Sequence, residues 1–213
     1  MEIRELFILI IGSVAINNFV LKRLLGIHSF RDASKKADSA LSTGMAVSFV
    51  LVATSAITWL ADHYLLKPGS SHLWRIIAEG ANPPGVAALR TIVSILVILG
   101  IVKLMDGIIG KISPALNNSP GRYLPSIAAN SIILAVALLN LSPEFYDTGN
   151  LLRSLIHSVA AGAGFTIVVI LMAGILERLE LAPVPKLLRG APIALILAGL
   201  MGITFLGFTG LKI

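Results

Sequence analysis

Two polar dipeptides, Asn17-Asn18 and Asn130-Ser131, sit inside otherwise apolar stretches of the chain. An amide buried without partners costs on the order of a few kcal/mol, so such side chains must pair across helices or line a polar cavity. In a membrane they read either as glue between helices or as an ion or gating site near mid-depth. Asp106, within Lys103-Leu104-Met105-Asp106, closes another apolar stretch. It reads as an interfacial acid paired with Lys103, and the sharper role open to it is to carry a proton. Asn17, Asn18, Asn130 and Asp106 are thus the ion-pathway candidates. His28 lies in a polar turn, and its imidazole exchanges a proton near neutral pH. His63, His72 and His157 are scattered without the spacing of metal ligands and read as loop or interface residues. The chain has no cysteine, which excludes disulfides, a Cys-ligated zinc and a Cys nucleophile. No phosphate-cradling glycine loop, carboxylate pair or nucleophile triad occurs, so the chain is expected to be non-catalytic by itself.

The elements that must hold these residues follow from composition. Of 213 residues, 56% are hydrophobic and only 13% charged, with a mean hydropathy of +0.90. A soluble domain carries about 25% charged residues because its surface meets water. Much of this surface must therefore meet lipid. Six apolar stretches, about 6–21, 40–61, 89–110, 123–142, 155–176 and 191–210, approach the roughly 20 residues a helix needs to cross the bilayer. The N-terminus lacks the basic region and small-residue cleavage site of a signal peptide. The net charge of +6 does not indicate nucleic acid, because the basic residues lie between apolar runs instead of on one face. Eleven of the seventeen Lys and Arg fall in or flank the loops after the first, third and fifth stretches, five of them between the first two. The positive-inside rule then places those loops in the cytoplasm and both termini outside.

The two halves resemble each other. Thr43-Gly44-Met45-Ala46-Val47-Ser48-Phe49-Val50 aligns without gaps with Ala161-Gly162-Ala163-Gly164-Phe165-Thr166-Ile167-Val168. Each half supplies a polar-bearing first helix, a small-residue-rich second and a smooth third. Three is odd, so the second half enters the membrane from the opposite side. The expected fold is an all-α integral membrane protein: one domain, six transmembrane helices, two inverted three-helix repeats (about 1–112 and 113–213). Helices 1 and 4 are expected to be discontinuous, breaking near Gly26–Ser29 and near Pro125–Ser131.

A family resemblance runs essentially end to end. Asn17-Asn18-Phe19-Val20-Leu21, Leu25-Gly26-Ile27-His28-Ser29-Phe30, Ser34-Lys35-Lys36, Tyr123-Leu124-Pro125, Asn130-Ser131 and Leu176-Glu177-Arg178-Leu179 carry it. So do Arg189-Gly190 through Gly199-Leu200-Met201 and the closing Phe205-Leu206-Gly207-Phe208-Thr209-Gly210-Leu211. These segments resemble the A subunit of the Rnf electron-transport complex and, more distantly, the E subunit of the sodium-pumping NADH:quinone reductase. The resemblance implies a six-helix inverted-repeat subunit paired with a homologous six-helix subunit of opposite orientation, the E-like partner, among further Rnf-type subunits. Together they form the membrane core of a complex that passes electrons from ferredoxin or NADH while moving Na⁺ or H⁺. It further implies a bacterial cytoplasmic (inner) membrane, with both termini on the periplasmic side as the charge count also has them.

One departure stands out. In the family, a Cys in the turn after helix 1 and another after the Asn of helix 4 join two from the partner to hold a [2Fe–2S] cluster. Here His28 and Ser131 occupy those positions, Ser29 stands at the family's proline, and Pro120-Gly121-Arg122 replaces a more apolar segment. Imidazole can replace thiolate as an iron ligand, but Rieske centres use two His, and a serine hydroxyl is hard to ionise. No cofactor is therefore expected from this chain alone, and any [2Fe–2S] cluster shared with the partner is not of four-cysteine type. His28 and Ser131 are expected close together on facing breaks. The leading function is a membrane subunit of an ion-translocating oxidoreductase complex. The alternatives are a stand-alone ion transporter or channel, or a structural subunit that has lost the redox cofactor.

Overall fold

A computed structural model describes residues 3–26, 37–66, 84–112, 130–142 and 150–210. Among them every regular element is helical. α1 (Ile3–Ile11) runs into a π-helical turn (Gly12–Ile16), and α2 (Phe19–Arg23) follows. α3 (Ala37–Ala61) continues as a second π-helical turn (Asp62–Leu66). α4 (Pro84–Ile112), α5 (Ser131–Asn140) and α6 (Leu151–Glu180) come next. A 3₁₀ turn (Lys186–Leu188) leads to α7 (Ala191–Leu206). The expected interfacial helix around Trp74 lies outside the described residues, as do His28 and Pro125.

Among the described residues, three helices are long and apolar enough to cross a membrane: Ala40–Leu66, Ala88–Ile108 and Leu151–Glu180, of 27, 21 and 30 residues. At about 1.5 Å per residue each reaches or exceeds the roughly 30 Å of hydrocarbon. α5 and α7 are apolar but shorter. Burial is inverted relative to a water-soluble protein. Asn18, Thr54, Ser55, Asp62, Asn140 and His157 are buried, while Met45, Phe49, Leu96, Leu104 and Ile203 are each about two-thirds exposed. A solvent of lipid accounts for this pattern.

The chain forms two compact units, and both draw on both halves of the sequence. In the first (Met1–Phe49, Ala129–Ile132, Val159–Ile213), Val20, Val47, Phe165, Val168 and Met172 make the buried core. Here α3 and α6 cross closely at small residues. A Cβ on Gly44 would lie 2.6 Å from Thr166 Cγ2, and one on Gly162 would lie 2.6 Å from Ser48 Oγ. Ser48 Oγ and Thr166 Oγ1 stand 3.4 Å apart, and each hydroxyl donates to the carbonyl four residues back, Gly44 O and Gly162 O, at 2.8 Å. In the second unit (Val50–Ala128, Ile133–Ser158), Val50, Leu51, Ile101, Ile133 and Val136 are buried among several polar side chains.

The first helix is discontinuous at Gly12–Asn18. Of the break expected near Gly26–Ser29, only Gly26 lies within the described residues. Asn17 N–H bonds to Gly12 O at 2.6 Å, a five-residue step that widens the helix. Asn18 then stops it, because its side chain serves the next helix. The chain turns again beyond α2, through Leu24 (φ 53°) and Gly26 (φ 74°).

Candidate functional site

Asn18 is the N-cap of α2. Its Oδ1 accepts from Val20 N–H at 3.1 Å and Leu21 N–H at 3.3 Å, replacing partners that a helix start lacks. Its Nδ2 donates to Val14 O at 2.9 Å and, across to α6, to Gly164 O at 3.1 Å. Gly164 permits this approach, since a Cβ there would stand 3.1 Å from both Asn18 Nδ2 and the Val14 backbone. One buried amide thus ends one helix segment, starts another and ties both to a third.

Asn130 caps the start of α5 in the same way. Its Oδ1 accepts from Ile132 N–H at 3.2 Å, two residues on, as Asn18 does for Val20. Unlike Asn18, it has a buried Nδ2 with no hydrogen-bond partner among the described residues. Gly26 presses against it, for a Cβ at Gly26 would lie 2.7 Å from Asn130 Oδ1. Gly26 N–H donates to Ser131 Oγ at 2.9 Å. The turn two residues before His28 therefore meets the asparagine-capped start of α5.

The other site residues fall as follows. Asn17 is exposed and accepts from Lys22 Nζ at 2.6 Å. Asp106 is half-buried on α4, with Lys103 exposed one turn earlier. The donors at the breaks are amides, a hydroxyl already bonded by Gly26 N–H, and backbone groups. That set does not fit a thiolate-bound iron–sulfur cluster. Among the described residues no group of three or more His, Asp or Glu is placed to hold a metal.

Sequence reasoning missed a polar cluster in the second unit. His157, expected in a loop or at an interface, is buried in α6, with Nδ1 2.7 Å from Asn140 Oδ1. Asn140 Nδ2 faces three oxygens: Ser55 Oγ at 3.1 Å, Ser158 Oγ at 3.1 Å and Ser154 O at 3.3 Å. Ser158 Oγ also lies 2.6 Å from Ser55 Oγ. Two turns along α3 from Ser55, fully buried Asp62 takes both Arg90 Nε (2.6 Å) and Nη2 (3.2 Å) on its two oxygens. Charged groups buried in apolar helices persist only when paired in this way. The signal for both features was the recurrence of Thr54, Ser55, Thr58 and Asp62 at helical spacing inside an apolar run.

These features define an all-helical membrane protein with an interrupted first helix and asparagine-capped helix starts. The chain belongs to the family described as Rnf-Nqr subunit, membrane protein, which matches residues 6–212. It is 42% identical to the A subunit of the Na(+)-translocating ferredoxin:NAD(+) oxidoreductase complex of Acetobacterium woodii over 98% of both chains. The A subunit of the ion-translocating oxidoreductase complex of Syntrophotalea carbinolica is 40% identical over 98% of both chains. Its counterpart in Glaesserella parasuis is 42% identical over 97% of both.

Proposed function

We propose that this chain is the A-type membrane subunit of an Rnf-type ion-translocating oxidoreductase, taking part in electron transfer across the membrane and in movement of Na⁺ or H⁺. The observation that carries the reading is the full-length similarity to relatives named as the A component of such complexes. In this reading the six apolar helical regions are six spans of a multi-pass protein of the bacterial inner membrane, with both termini outside. They are arranged as two inverted repeats. The crossing of α3 and α6 supports the repeat: Gly44 and Gly162 align in sequence, as do Ser48 and Thr166. Each glycine faces the other half's hydroxyl residue, and the two hydroxyl residues meet. Such reciprocity is what a two-fold axis through the crossing produces. A homologous six-helix subunit of opposite orientation is the partner.

The breaks at Asn18 and Asn130 form the ion or electron site in this reading, with His28 and Ser131 at the positions where family members carry cluster cysteines. The hydrogen bond from Gly26 N–H to Ser131 Oγ supports their proximity. With no thiolate in the chain, a conventional four-cysteine cluster is not formed here. The test is iron analysis with EPR on the complex purified through a tag on this subunit. The reading expects co-purifying Rnf-type subunits, including the homologous partner, and no four-cysteine [2Fe–2S] signal that depends on this chain. A chain that purifies alone and conducts ions would replace this reading with that of a stand-alone transporter.

A further inference from the structure

α6 is longer than a bilayer requires. Its 30 residues rise about 45 Å, roughly 15 Å more than the hydrocarbon is thick. Within it no charged residue falls between Arg153 and Glu177, whereas Glu177, Arg178 and Glu180 crowd the last turn. That turn stands at the level of the lipid headgroups, and so does the connection that returns the chain to apolar α7. The connection, Leu181 to Gly190, carries Lys186 and Arg189 together with Leu181 and Leu187, which are 90% and 91% exposed. Basic residues beside exposed leucines are the composition of a segment lying in the interface, with apolar side chains in the acyl layer and charges among the headgroups.

Between the end of α6 and the start of α7 lies a cavity of about 500 Å³, within the roughly 300–1,000 Å³ of small-molecule sites. Its lining is amphipathic. Leu176, Leu179 and Ile193 are half-buried and Ala194 is buried, while Glu180 and Arg189 are exposed. Arg189 Nε donates to Val184 O at 3.1 Å, which holds the guanidinium beside the cavity with its other N–H groups left to donate. Glu180 and Arg189 border one cavity yet make no ion pair with each other, and among the described residues the Glu180 carboxylate has no hydrogen-bond partner. An acid in the last turn of a helix also faces the partial negative charge of the final carbonyls, the unfavourable end for it. Across the cavity, α7 begins beside Arg189 with its partial positive end. The cavity is thus negative on its α6 side and positive on its α7 side. A simple anion is repelled by the first side and a simple cation by the second. A zwitterion satisfies both.

We propose that this cavity is a headgroup site for a phospholipid carrying a primary ammonium, its phosphate on Arg189, its ammonium on Glu180 and an acyl chain along Leu176, Leu179 and Ile193. A carboxylate accepts charge-assisted hydrogen bonds from a primary ammonium and none from a quaternary one, so the site selects phosphatidylethanolamine over phosphatidylcholine. The proposal rests on the reading of this chain as a multi-pass membrane protein and not on ion translocation, so its failure leaves that function untouched. The test uses the assembly purified in detergent through a tag on this chain, labelled with a phosphatidylethanolamine whose acyl chain bears a photoreactive diazirine. Labelled peptides are mapped by mass spectrometry, with competition by unlabelled lipids of identical chains. Labelling within residues 176–194 is expected. Phosphatidylethanolamine should displace it at about fivefold lower concentration than phosphatidylcholine, the upper worth of one exposed ion pair. Glu180→Gln should bring the two competitors together, and Arg189→Gln should weaken both. Both residues are exposed, so neither change removes a core contact. Absence of labelling in this segment, as when a neighbouring subunit covers the groove, overturns the site. So does equal competition in the wild type, stronger competition by phosphatidylglycerol than by phosphatidylethanolamine, or a preference that survives Glu180→Gln.

Discussion

Replacing Gly26 with alanine tests the junction between the turn after α2 and the start of α5. Gly26 has φ 74°, and an added Cβ would lie 2.7 Å from Asn130 Oδ1. Holding an L-residue in the left-handed region costs about 1–2 kcal/mol. The clash displaces the oxygen that caps α5 through Ile132 N–H, and loss of such a cap costs about 1 kcal/mol. Against this, alanine restricts the unfolded chain and returns about 0.4–1 kcal/mol. The net loss is about 2 kcal/mol, which for a chain of this size lowers the melting temperature by roughly 4–8 °C on the scaling of soluble domains. Gly100→Ala is the reference, since no described atom lies within 4 Å of its added Cβ and it sits in α4, where alanine gains about 0.5–1 kcal/mol. The assay is thermal unfolding of the purified complex, followed through this subunit. A double-mutant cycle with Asn130→Ala adds a second reading: with the obstructing side chain removed, the pair should lose about 1 kcal/mol less than the sum of the singles. A Gly26→Ala protein as stable as Gly100→Ala, or strict additivity in the cycle, would refute the junction.

Gly44→Ala and Gly162→Ala should each lose about 1–3 kcal/mol through overpacking against Thr166 and Ser48. Similar losses in parallel thermal melts would agree with a two-fold crossing, and losses differing by several-fold would not. Arg90→Met leaves Asp62 as a buried unpaired carboxylate and should cost about 3 kcal/mol, the low end for a broken buried pair because Arg90 is 23% exposed. Adding Asp62→Leu should recover most of that stability, and failure to recover would mean the pair is not the controlling interaction. Ser34→Cys should resist an impermeant thiol reagent applied from outside intact cells; labelling there would reverse the topology. The chain has no cysteine of its own to confuse the result.

The helical regions were legible because lipid demands long apolar runs, and each apolar stretch contains a described helix. Asn18 and Asn130 were legible as amides that must find partners, because an unpaired amide in such a run is costly. The interruption at Gly12–Ile16 was not, because a π-helical turn depends on a backbone step that no residue type announces, and Asn18 fixes it by bonding across to Gly164. Asn140 and His157 were hidden for a different reason. Metal-ligand spacing is a signal within single segments, but this cluster draws one side from each of α3, α5 and α6. Arg90 read only as a topology signal, and nothing local joins it to Asp62, 28 residues earlier.

The central claim is that this subunit serves redox-driven ion movement. Its most direct test is Na⁺ uptake by proteoliposomes holding the purified complex, started by reduced ferredoxin and NAD⁺, with the uptake followed as a function of electron flow. The account predicts uptake of Na⁺, or of H⁺ where Na⁺ is omitted, that starts with electron transfer, stops when it stops, and is absent from complexes lacking this chain. Electron transfer with no ion uptake, or ion flux that proceeds without electron transfer, would contradict it.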